Sequence, residues 1–180
     1  MTTNHTKTES AANPTFQTGI ALQELFINEM KGMFWAEQHL TDALPKMIEG
    51  ANSADLKQAI SNHLEQTKTH VTRLEDAFQS IGEKAEPVKC MAMEDLLTEA
   101  DELLFATDKE SEVRDVAIIT AAQKVEHYEI ASYRTLKTLA GTLGFNEVAE
   151  LFGKTLEEEK MADWLLTEIE NYVNEAAMAE

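Results

Sequence analysis

The sequence predicts an all-α fold, an antiparallel four-helix bundle with one long crossover between its second and third helices. Three observations carry this. Gly (7) and Pro (3) are scarce in 180 residues, so little interrupts helix growth. Apolar residues recur at helical spacing in four long stretches. Two short turns and one connection of about 30 residues separate those stretches.

Residues 1–17, rich in Thr, Ser, Asn and Ala, read as a disordered tail before a bundle domain at 18–176. The first helix is expected from about Gly19 to Ala51, on the stripe Leu22, Leu25, Phe26, Met33, Leu40, Leu44 and Met47, with Pro45 as a potential kink. Ser53 can cap the second helix, Ala54 to Ile81, whose stripe is Leu56, Ile60, Leu64, Thr67, Val71, Leu74 and Phe78. Gly82 is a natural stop. The connection from Glu83 to Ser111 contains Pro87 and a short helix, Met93 to Ala106. The third core helix follows, about Glu112 to Gly141, and the fourth runs from the Gly144 turn to about Asn174.

Each short turn makes a helix hairpin, and the long connection carries the chain along the bundle, leaving the second and third helices parallel. This is the one-crossover topology of ferritin-like folds. A weak internal repeat agrees. Ala36-Glu37 corresponds to Val125-Glu126, and Leu64–Lys68 to Leu156–Lys160.

The formal charge is −18, from 33 acids and 15 bases. It argues against nucleic acid and anionic membranes as partners and for attraction of cations. For most of these acids, solvation of helix faces is explanation enough. One cysteine, Cys90, excludes an intrachain disulfide. With no apolar leader and no apolar run near ~20 residues, the expectation is a cytoplasmic protein. Cys90 itself reads as buried packing.

Some acids fall on apolar stripes. Glu37 lies one turn from Met33 and from Leu40. Glu129 is central in the stripe Ile118, Ala122, Val125, Tyr133, Leu136, with Glu126 at its edge. On the fourth helix the stripe Val148, Leu151, Thr155, Ala162, Leu165, Leu166, Ile169 takes in Glu158, with Glu159 and Asp163 at its margins. The second helix adds His63, Thr67 and His70. An unpaired buried carboxylate costs several kcal/mol or binds a proton. Two divalent cations would match four carboxylates, and oxygen ligands with an imidazole suit iron or manganese. The candidate ligands are therefore Glu37, Glu126, Glu129, Glu158, Glu159, His63 and His70. The competing readings are salt bridges to inward bases for the acids and hydrogen-bonded core positions for the histidines. Asp163 reads as a solvated edge acid, and Tyr128 and Tyr133 as packing.

The segment Ala-Ala-Gln-Lys-Val-Glu-His-Tyr-Glu-Ile-Ala-Ser-Tyr (121–133) resembles the third-helix signature of the YciE/YciF family. Residues 36–40, 63–67, 88–94 and 155–160 resemble it too, in order and spacing, and the likeness spans residues 20 to 175. It implies a ferritin-like bundle, usually a homodimer, in a bacterial family linked to stress responses. The usual di-iron bundle has one Glu on each of two helices and Glu-x-x-His on the other two. Here Glu37 and Glu126 fill the single-Glu places, but Thr67 precedes His70 and Ala162 follows Glu159. Each Glu-x-x-His motif is half kept, and Glu129 is an additional acid.

Two functions follow. One is a di-metal carboxylate protein acting on oxygen or peroxide. The other is a metal-free structural or interaction protein that retains the fold. A storage cage is disfavoured, because only a few residues remain after Asn174 for a fifth C-terminal helix.

Overall fold

The computed structural model describes residues 14–179, with side chains from residue 19 onward. It contains α1 (Pro14–Gly50), α2 (Ala54–Ser80), α3 (Met91–Ala106), α4 (Glu112–Thr142) and α5 (Asn146–Ala179). Helix α1 starts five residues before the expected Gly19, so residues 14–17 of the expected tail are helical; residues 1–13 lie outside the described residues. The helix also continues unbroken through Pro45.

The four long helices form a square. Helix α1 packs on α2 and α4, and α5 packs on α4 and α2. The Asn52-Ser53 turn after α1 meets Asp115 at the start of α4, so α1 and α4 run antiparallel. Tyr172 near the end of α5 donates to Asp55 at the start of α2, so those two are antiparallel as well. Helices α2 and α4 are then the parallel diagonal that the crossover demands. Helix α3, inside the crossover, lies against α4 and α1.

Local chemistry sets the ends. The Ser53 hydroxyl accepts from the Leu56 amide at 3.3 Å and caps α2. Helix α4 closes with Gly144 at φ 84 and a Phe145 amide bonded back to Ala140 O, a left-handed turn that glycine adopts without a Cβ clash. Asp115, fully buried on α4, accepts the backbone amides of Asn52 and Ser53, both at 2.6 Å. It locks the first hairpin turn to the second hairpin.

Buried positions alternate by three and four along the helices: 26, 30, 33, 37, 40, 44 and 47 on α1, with 51 just beyond it; 56, 60, 63, 67, 70, 74 on α2; and 148, 152, 155, 159, then 166, 169, 173 on α5, the step of seven spanning half-buried Ala162. That near-heptad spacing is the seam of a left-handed bundle. Leu25, expected in the stripe, is half exposed at 49%; Met30, one turn from Phe26, is buried instead. Phe26, Phe78, Phe152 and Tyr133 fill one half of the core without exposure. Leu56, Ile118, Ile169 and Val173 fill the other, so the polar residues of the seam occupy the middle.

Candidate metal centre

The mid-bundle layer brings together six of the seven residues named from the sequence. His63, Glu126, Glu129 and Glu159 each offer a ligand atom within 4.8 Å of the others, and Glu37, His70 and Glu159 form a second such group. Glu159 belongs to both. Every helix of the square contributes: Glu37 from α1, the histidines from α2, Glu126 and Glu129 from α4, and Glu159 from α5. Buried His and Glu clusters of this kind could hold a metal ion.

The seventh residue stands apart. Glu158 keeps 31% of its side chain exposed and is gripped by Arg73, whose Nη2 donates at 2.9 Å. The expectation had Glu158 inside the stripe and Glu159 at its margin; the two are exchanged. One residue is ~100° of helix rotation. The stripe drawn through Leu151 and Leu165, both half-buried, pointed to Glu158, whereas the buried seam through Phe152 and Leu166 points to Glu159.

Hydrogen bonds and close charge contacts orient the cluster. His70 Nδ1 lies 2.9 Å from Glu159 and 3.5 Å from Glu37, and its Nε2 lies 2.9 Å from Glu158. Arg73 thus holds Glu158, and Glu158 holds the imidazole. Tyr133, fully buried, donates its hydroxyl to Glu37. His63 Nε2 approaches Glu126 at 3.2 Å. Asp163 pairs with the exposed His127 at 3.1 Å, at the margin as expected. Cys90 is half-buried, not buried, and its sulfur meets the Tyr128 hydroxyl at 2.9 Å.

The sequence reading missed Tyr133 and Arg73 as partners of the site. Tyr133 is one turn from Glu129 and two from Glu126 on the same face, which could have marked it. Arg73 is three residues beyond His70, close enough to share a face.

Several carboxylate oxygens have no hydrogen-bond partner. Both oxygens of Glu129, Oε2 of Glu126 and Oε2 of Glu37 are buried without a hydrogen bond. Burial, reinforced by the neighbouring acids, holds Glu126 and Glu129 well above the usual carboxylate range. Burial also raises Glu37, against the lowering influence of His70 and Tyr133. Burial lowers His63. Burial disfavours charge on His70 as well, but Glu159 and Glu37 outweigh it and push the imidazole up to about 11. Without ions, protons on Glu126, Glu129 and His70 balance the layer.

These shifts set a pH dependence for the metal-free protein. The raised carboxylates contribute stability that is complete below 4.5 and lost as pH rises through their folded values. His70 does the same between 6.5 and about 11. His63, lowered, contributes above 6.5 and opposes them only on the acid side. Above pH 6.5 only the losing contributions remain. Denaturant midpoints measured in chelator should therefore fall from neutral to alkaline pH; a flat or rising trend would contradict this account.

A family model described as a domain of unknown function (DUF892) matches residues 21–178. The chain is 45% identical to Protein YciF of Escherichia coli (strain K12) over 158 residues, covering 87% of this chain and 95% of that protein. The crystal structure of the E. coli stress protein YciF superposes with a TM-score of 0.81 at 42% identity, over 86% of this chain and 97% of that one. YcfI of Rhodopseudomonas palustris, described provisionally as a structural protein, gives 0.77 at 37% identity, over 90% and 98%. A protein of Xanthomonas campestris pv. campestris, at 19% identity and 0.69 over 88% and 96%, shares the fold. Among the described residues no helix is long and apolar enough to cross a membrane.

Proposed function

This chain belongs to the DUF892 family of YciF-like proteins, and on that premise we propose that its mid-bundle layer is a two-ion carboxylate centre for iron or manganese. The observation that carries this reading is the set of buried, unpartnered oxygens on Glu129, Glu126 and Glu37. Unpartnered buried acids are expensive, and divalent cations are the partner their number and geometry suit. The donor set, carboxylates with two imidazoles, is the one hard-to-borderline divalent metals accept. Glu159, common to both groups, would be the residue shared between two ions.

Iron or manganese bound there would supply redox chemistry toward oxygen or peroxide. The protein's own part is positional and protonic. Arg73 and Glu158 fix the rotation of His70, an acid-to-imidazole support common around metal ligands. Tyr133 fixes one oxygen of Glu37 and leaves the other free. Glu126 and Glu129 would release their protons when cations arrive, so affinity should rise with pH. The core around the layer shields Glu37, Glu129, Glu159 and His70 from bulk water.

Metal analysis of protein prepared separately with Fe(II) and with Mn(II) tests the reading. Two ions per chain are expected in at least one preparation; an ion-free core in both would sink it. That negative result would favour the second reading, a metal-free structural or interaction protein. What favours that alternative is the network already in place, in which protonated His70, Arg73 and Tyr133 satisfy part of the acidic cluster. The resemblance also leads us to carry a cytoplasmic homodimer into the reading, checked by a solution mass of two 20.1-kDa chains.

A further inference from the structure

A cavity of about 150 Å³ opens between α2 and α5 and reaches the centre. Its outer rim is Asn62, Gln66 and Met161; its inner wall is His63 and Glu126. The remaining lining is apolar, from Leu44, Ile60, Leu165 and Leu166, with Ala59, Ala122 and Ala162. Exposure within the cluster agrees with one direction of access. Glu37, Glu129, Glu159 and His70 have none, whereas His63 keeps 6% and Glu126 3%, and these are the two that face the cavity.

The space has a cause in the sequence. In the internal repeat, Leu64–Lys68 aligns with Leu156–Lys160, so His70 on α2 corresponds to Ala162 on α5. Where α2 fills its position with an imidazole, α5 has a methyl group. The missing ring leaves room on the Glu126 side of the layer, and two further alanines from α2 and α4 enlarge it.

A cavity of this volume with aliphatic walls takes a molecule about the size of benzene. Dioxygen or hydrogen peroxide, with only a pair of oxygens, would leave most of it unfilled. Between the rim amides Asn62 and Gln66 and the inner pair His63 and Glu126, the walls are apolar. We propose that this cavity is the substrate pocket of the centre, opened by Ala162, and that it takes a short-chain organic hydroperoxide. The alkyl body lies along Leu165 and Leu166, and the peroxide head faces Glu126 and His63. The substrate class rests on the metal-centre reading; the cavity and its capacity for an apolar body do not.

The test uses the full chain, metal-free, with its methyl groups labelled for NMR. Added tert-butyl hydroperoxide should shift the methyl signals of Ala162, Leu165 and Leu166, and hydrogen peroxide at the same concentration should not. Ala162→Phe should abolish the shifts, and Ala162→Met, a milder filling, should weaken them if the Phe variant does not fold. Absent shifts in the wild-type chain, equal shifts from both peroxides, or shifts undiminished in the filled variants would overturn the proposal. In metal-loaded protein, Ala162→Phe should lower the preference in kcat/KM for tert-butyl hydroperoxide over hydrogen peroxide by about tenfold or more. Mn(II) binding should survive that substitution. Methyl shifts in a chain that retains no metal would remove the two-ion reading and with it the hydroperoxide assignment, leaving only the cavity. Metal retention without methyl shifts would remove the pocket alone.

Discussion

Glu159→Gln should remove the metal-dependent stabilisation of this protein. Glu159 is the one side chain common to both ligand groups, so its loss strikes both. A ligand that binds only the folded chain stabilises it by about 2.7 kcal/mol at a hundredfold excess over Kd. The wild-type chain titrated with Mn(II) should show a gain of this order, and the variant should show none. In chelator two electrostatic effects oppose one another. The charge of Glu159 raises Glu37, Glu126, Glu129 and Tyr133, so it crowds the layer. The isosteric amide removes that repulsion, but it also removes the charge that faces His70 Nδ1, 2.9 Å away. Removing one partner of a buried charge pair is destabilising, and the relief of crowding offsets only part of that loss. The exposed neighbour Glu157, paired to Lys160, supplies the control, because Glu157→Gln should change neither quantity. Thermal melts with and without Mn(II) decide the matter. A variant that keeps the wild-type gain would show that Glu159 is not a ligand.

Asp115→Ala should cost about 2–3 kcal/mol, with or without metal. Its carboxylate is fully buried and accepts two backbone amides at 2.6 Å. Alanine leaves both donors short of a partner, at about 1–3 kcal/mol for each that water cannot reach. It also removes an acid from the first turn of α4, where the helix dipole favours one. Asp115→Asn retains an acceptor and should lie between. The readout is the denaturant midpoint. A loss under about 0.5 kcal/mol would mean that water replaces the carboxylate and that the turn is not locked.

Asp115 also marks a limit of reading a chain by its periodicity. It sits at a helix start, where an acid is unremarkable, and nothing local reveals that another hairpin's turn lies above it. Arg73 and Glu158 are similar. Each sits on the rim of its own helix, and only the α2–α5 packing turns two rim charges into an ion pair that braces His70. The exchange of Glu158 and Glu159 has a different origin. Half-buried Leu151 and Leu165 are as apolar as the fully buried residues beside them, so composition alone could not fix the helix phase. The near-heptad seam, visible once Phe152, Thr155, Leu166 and Ile169 are known to be inside, does fix it.

By itself the sequence determined the helices, their order and the single crossover. These follow from local quantities: turn residues, loop lengths and the period of apolar side chains. It also determined that acids and histidines stand on core-facing stripes of all four long helices. Tertiary structure alone decided which of them meet. Convergence depends on the axial register and rotation of helices packed side by side, and no local pattern encodes either. Register puts Glu37, His70 and Glu159 in one layer, rotation sends Glu158 outward to Arg73, and the small volume of Ala162 becomes a cavity only because α2 and α4 stop short of filling it.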